Sequence, residues 1–226
     1  MALSGPITTQ PSIRTTKRRT NILLRPYQVI RENRRPFVIL NVALFGLLVA
    51  GFIVGMRFPE LSAEQVNGLV EDGTLDQIAP LLGNVWFFAL AILFNNAVHV
   101  GDVIVLPSLV VPFAGIGYFG YKVAEIGLTL AASGSDLWGA MLPHLVTVVV
   151  EIEAYVLLAL GAYVLGRSWI FPRTVGASNR RGGYLRGLQQ FGWLILPAFV
   201  LLVIGALYEA ATLIYVIVPQ FAEIAG

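Results

Sequence analysis

Cysteine is absent from the 226 residues, which excludes disulfides, thiolate metal sites and cysteine nucleophiles. Histidine is almost absent: His99 and His144 are the only two, and the spans that carry them place them towards opposite sides of a bilayer, so a multi-histidine metal site is not expected. Neither G-x-S-x-G nor H-E-x-x-H occurs, and the common hydrolase signatures go with them. Charge is scarce as well. Asp, Glu, Lys and Arg make up 12% of the chain, against roughly 25% in an ordinary globular domain. A soluble fold is excluded on that ground.

What fills the space is apolar. Hydrophobic residues make up 57% of the chain and the mean hydropathy is +0.76, the composition of an integral membrane protein. The reading is all-α, a polytopic transmembrane helix bundle. Its few cations are clustered: eight of the fifteen Lys and Arg precede residue 37, five lie between Arg167 and Arg186, and only Arg57 and Lys122 fall elsewhere. Short segments rich in Lys and Arg stay cytoplasmic, so the N-terminal segment and the loop around residues 167–186 are assigned inside. Nucleic-acid binding is the competing reading of such basic runs, and it is set aside because each run abuts a span.

Residues 1–36 form a basic cytoplasmic segment that is expected to be retained; within it, Ile22 to Arg31 reads either as an interfacial helix or as a solvated tail. Residues 37–219 form the bundle domain, with spans expected at 37–56, 83–101, 103–121, 139–165 and 191–218. Only Asp102 separates the second from the third, which predicts a tight hairpin there, with Pro107 and Pro112 bending the third span. Lys122 to Ala132 then reads as a short amphipathic or re-entrant piece. Residues 57–82 are acidic and predict a polar outer connector with one or two short helices. Five spans put the N-terminus inside and the C-terminus outside.

The fourth span carries His144, Glu151 and Glu153. A carboxylate at the centre of a membrane helix costs roughly 2.5–3.5 kcal/mol on insertion scales, so these groups must face protein or a wet cavity, or hold a proton. His144 and Glu151 are separated by almost two helical turns and share a face; Glu151 and Glu153 point about 200° apart and cannot form one acid/base pair. Asn95 and Asn96 lie late in the second span, and Glu209 lies about one turn beyond the middle of the last, flanked by Ala206 and Ala210. Antiparallel neighbours would bring Glu209 level with His144 and Glu151. Asn95, Asn96, His144, Glu151, Glu153 and Glu209 are thus the expected intramembrane polar network, without catalytic, cofactor-binding or metal-ligating assignments.

Asn95-Asn96, a glycine-rich third span, Pro143-His144 followed by Glu151-Ile152-Glu153-Ala154, and Ala206-Leu207-Tyr208-Glu209-Ala210 together resemble the stage II sporulation protein M family. This chain has Leu145 where that family has glycine after Pro-His, and its Glu follows the His by seven residues rather than four. The resemblance implies a non-catalytic scaffold in the cell membrane, in contact with lipid and with other membrane or envelope proteins, including cell-wall hydrolases, and open to homo-oligomerisation. A transporter or channel component, using the intramembrane carboxylates as a proton or ion route, is the alternative. An intramembrane hydrolase is a third reading with little in its favour.

Overall fold

The structure, a computed structural model, describes residues 24–71, 79–131 and 138–219. Among these the chain is all-helical. Most of the basic N-terminal segment, which holds Arg14, Lys17, Arg18 and Arg19, lies outside the described residues.

Helix α1 (Arg25–Glu32) carries Pro26 in its first turn, where no intrahelical N–H is required. It docks on the bundle: Val29 is buried against Leu160, Val164 and Leu194. Asn33 closes α1, with its side-chain amide and its backbone N–H both donating to the Val29 carbonyl, and α2 (Arg34–Arg57) follows at once. Helix α3 (Pro59–Glu71) leaves the end of α2, and a 3-10 turn at Ala79–Gly83 precedes the next long helix. This matches the expected connector.

Helix α4 runs Val85–Val110, α5 Ala114–Ala131, α6 Trp138–Ile170 and α7 Arg180–Ile217. Among the described residues four helices are long and apolar enough to cross a membrane: α2, α4, the Leu142–Ile170 part of α6, and α7. Over an 18-residue apolar stretch of each, buried residues make up 67% in α6 but only 17–33% in the other three, so α6 is the axis around which the others pack.

The expected hairpin at Asp102 is overturned. Gly101 has ordinary right-handed helical angles, φ −62° and ψ −40°, and α4 continues through Asp102 to Val110. The reversal comes at residues 111–113. Val111 is extended, φ −126° and ψ 122°, as the residue before a proline prefers, and Phe113 takes φ 67°. A left-handed φ on a residue with a side chain costs roughly 1–2 kcal/mol; the Phe113 ring, seated on Gly166 and 5.9 Å from the Tyr163 ring, offsets it. Pro107 lies inside α4 and Pro112 in the turn itself. The separate piece expected at Lys122 to Ala132 is instead, as far as Ala131, the second half of α5.

Small residues set the helix registers, as expected where lipid is as apolar as the core and helices associate through packing. Gly120 meets Leu47, Gly51 meets Ala124, and Gly55 meets Leu128 and Ala131, so α2 and α5 run parallel. Gly187 rests on Leu165 and Ser168, Gly161 lies under the Phe191 ring, and Gly205 lies beside Val150 and Glu151, so α6 and α7 are antiparallel along their length. Gly115 abuts the Ile104 carbonyl and its N–H donates to Ser108 Oγ at 3.2 Å, which clamps α5 onto α4.

Candidate functional site: a polar layer across three helices

The α6–α7 register puts Glu209 of α7 level with the stretch from His144 to Glu151 of α6, while α4 brings Asn96 to the same depth. The Asn96 side-chain amide donates to Glu151 Oε1. Glu151 and Glu209 lie within hydrogen-bonding reach of each other. Since an ionised carboxylate has no proton to give, a bond between them requires a proton on one of the two. His144 Nδ1 is 3.6 Å from Glu209 Oε1, too long for a hydrogen bond, and His144 Nδ1 and Thr147 Oγ1 are buried without hydrogen-bond partners among the described residues.

The layer continues sideways. Asn95 Nδ2 donates to Asn96 Oδ1 at 3.3 Å, and Asn95 Oδ1 lies 3.2 Å from His99 Nδ1. Of the two adjacent asparagines Asn96 is buried and Asn95 is exposed. Residues Asn95–Val100 form a widened, π-helical turn, a local irregularity that often marks a functional position. The Asn96 carbonyl accepts the Gly101 N–H, and it accepts the Tyr155 hydroxyl at 3.3 Å as well.

Of the expected residues, Asn95, Asn96, His144, Glu151 and Glu209 come together. Glu153 does not: it points away from the layer, is half-buried and has no hydrogen-bond or ion-pair partner among the described residues. Two contributors were not anticipated. Tyr155 is one turn after Glu151, a spacing that was available as a signal. Gly205 is the other; it lies against the Glu151 side chain, where a Cβ would come into ordinary van der Waals contact with Glu151 Cγ at 3.4 Å. The small residues Ala206 and Ala210, both buried, line the same face of α7.

Neither Lys nor Arg pairs with Glu151 or Glu209 among the described residues, where the strong ion pair is Lys122 Nζ to Glu125 Oε2 at 2.7 Å on α5. No group of three or more His, Cys, Asp or Glu among them is arranged to hold a metal ion. The layer therefore offers two adjoining carboxyl groups and a set of directional bonds between helices. No family model, curated protein or solved structure matches this chain.

Proposed function

We propose that the chain is a non-catalytic integral scaffold of the cell membrane, whose polar layer fixes the register of α4, α6 and α7 and so presents a defined helical surface to other membrane or envelope proteins. The observation that carries this reading is the sealed inner side of the layer. From Ile152 to Leu165 the buried side chains of α6 are Ile152, Ala154, Tyr155, Val156, Leu157, Leu158, Ala159, Leu160, Ala162, Val164 and Leu165, each at most 5% exposed. The one polar atom there, the Tyr155 hydroxyl, is already bonded back to Asn96. A proton or ion route needs a succession of polar groups to both membrane faces, and that apolar stretch interrupts one. The resemblance to the stage II sporulation protein M family supports the same reading and suggests envelope-remodelling complexes as the setting.

The topology proposed with it has five crossings, N-terminus inside and C-terminus outside. α5 supplies the fifth: it is parallel to α2 through Gly51, Gly55 and Gly127, and its 18 residues span about 27 Å, near the ~30 Å of a hydrocarbon core. Its two charges neutralise each other. Cysteines placed at Gln10 and Ser178 should react with an impermeant thiol reagent only after lysis, and those at Val70 and Ile224 in intact cells.

The test of the scaffold reading is transport itself. Proteoliposomes loaded with a pH-sensitive dye should dissipate an imposed proton gradient no faster than empty vesicles, for the wild type and for Glu151→Gln alike. Flux above that background that disappears in Glu151→Gln would replace the scaffold with the pathway.

A further inference from the structure

The same layer that is closed inside the bundle is open at its outer edge. Asn95 and His99 are exposed on α4, and Asp102 is half-exposed one turn further along. The midpoint of α4 falls between residues 97 and 98, so all three lie within about 7 Å of it, well inside the ~15 Å half-thickness of the hydrocarbon. Around them the exposed surface of α4 is Phe87, Phe94, Leu106 and Val110, 55–73% exposed and suited to lipid or to another helix. An Asp at such a depth costs roughly 2.5–3.5 kcal/mol unless protein covers it, and Asp102 has no hydrogen-bond or ion-pair partner among the described residues.

The chemistry of the stripe matches itself. Asn95 Nδ2 donates to Asn96, which leaves Asn95 Oδ1 as the acceptor facing His99. His99 Nδ1 must then carry a hydrogen, and Nε2 is the atom left to bond outward. Nε2 and a carboxyl form a good pair whichever of the two holds the proton. One helix thus carries both halves of the pair, three residues apart.

We propose that α4 is the interface of a homodimer with a two-fold axis along the membrane normal, in which His99 of each copy bonds Asp102 of the other. The three-residue offset amounts to about 4.5 Å along the helix, within reach of the two side chains when equal levels face each other. Two reciprocal pairs then form, and the two polar layers join into one that crosses the whole dimer. The proposal rests on α4 lying in the membrane and not on the scaffold reading.

Light scattering in mild detergent should give a protein mass of twice the 24.5 kDa chain. Leu106→Cys, in a chain with no other cysteine, should form an intermolecular disulfide in native membranes. Leucine at both His99 and Asp102 should halve the mass and abolish the crosslink, with helix content unchanged. His99→Asp alone should also give monomers, whereas His99→Asp combined with Asp102→His should restore the dimer, a rescue that a loss of folding cannot imitate. A monomeric wild type, a dimer that survives leucine at both positions, or a stripe that instead holds a different protein would overturn the proposal. None of these changes the flux measured in vesicles, so the two readings fail separately.

Discussion

Replacing Glu151 by leucine keeps the side-chain volume roughly constant while removing both oxygens, and it strands two groups at once: the Asn96 amide and the Glu209 carboxyl. A buried polar group left without a partner costs about 1–3 kcal/mol, although polar contacts in membrane helices average about 0.6 and reach about 1.7 kcal/mol because the unfolded state finds partners too. We therefore expect E151L to lose roughly 1–2 kcal/mol. E209L strands less, since Asn96 still bonds Glu151, and should lose roughly 0.6–1.7 kcal/mol. The E151L/E209L double variant leaves only Asn96 unpaired, so its loss should not exceed that of E151L alone. Adding Asn96→Leu removes that buried amide; it also removes the acceptor of Asn95 Nδ2, but Asn95 is exposed and keeps His99, so stability should return to within about 0.5 kcal/mol of the wild type or above it, as happens when a whole buried polar set is replaced by apolar side chains. The assay is SDS-driven unfolding in mixed micelles followed by far-ultraviolet circular dichroism. Strictly additive losses, with the triple variant the least stable, would show that the three side chains do not share bonds.

His144→Leu should cost less than about 0.5 kcal/mol in the same assay, because its Nδ1 is 3.6 Å from Glu209 and has no hydrogen-bond partner among the described residues. A loss as large as that of Asn96→Leu would mean that His144 is bonded in the membrane. Gly51→Ala should destabilise by about 1–3 kcal/mol through overpacking, since its Cβ would overlap the Ala124 carbonyl; Gly46→Ala, with nothing within 4 Å, should be neutral or stabilise by up to about 1 kcal/mol through helix propensity. Equal effects at the two glycines would contradict the α2–α5 register. Gly176, at φ 68° after the 3-10 turn Pro172–Val175, should tolerate Asn better than Val, which thermal melts can resolve.

The inventory of the layer was legible in the sequence because an ionisable or amide side chain within an apolar run is rare and stands out. Its wiring was not. That Asn96 bonds Glu151, 55 residues away, depends on the rotation of α4 and on the register of α6 against α7. Those are decided by glycines whose meaning lies in what they touch: Gly161 lies under the Phe191 ring and Gly187 against the Leu165 backbone, while Gly46 touches nothing. The misplaced hairpin has a related cause. Asp102 looked like a break because it is polar, yet helical backbone accepts it; the true turn, Val111-Pro112-Phe113, is apolar throughout, so hydropathy passes over it, and only the proline announced it. In the same way Lys122 and Glu125 made the second half of α5 look like a surface piece until their mutual pairing was visible.

The widened turn at Asn95–Val100 makes α4 a ruler with one surplus graduation. Chains ordinarily gain and lose residues in loops, where a change of length is absorbed locally. Here a single deletion, of Ala97 for example, would let the turn close into ordinary α-helix with every backbone bond satisfied. Because the wide turn has already absorbed the rotation of its extra residue, everything beyond it would keep its facing: Ser108 would stay on the Gly115 N–H, and the Leu109 carbonyl on the Tyr184 hydroxyl that bonds it at 3.2 Å. Inside this one span the residue count can therefore change by one without disturbing the packing beyond it. A related sequence aligned with a gap at Ala97 would describe the same bundle with a narrower turn at the polar layer.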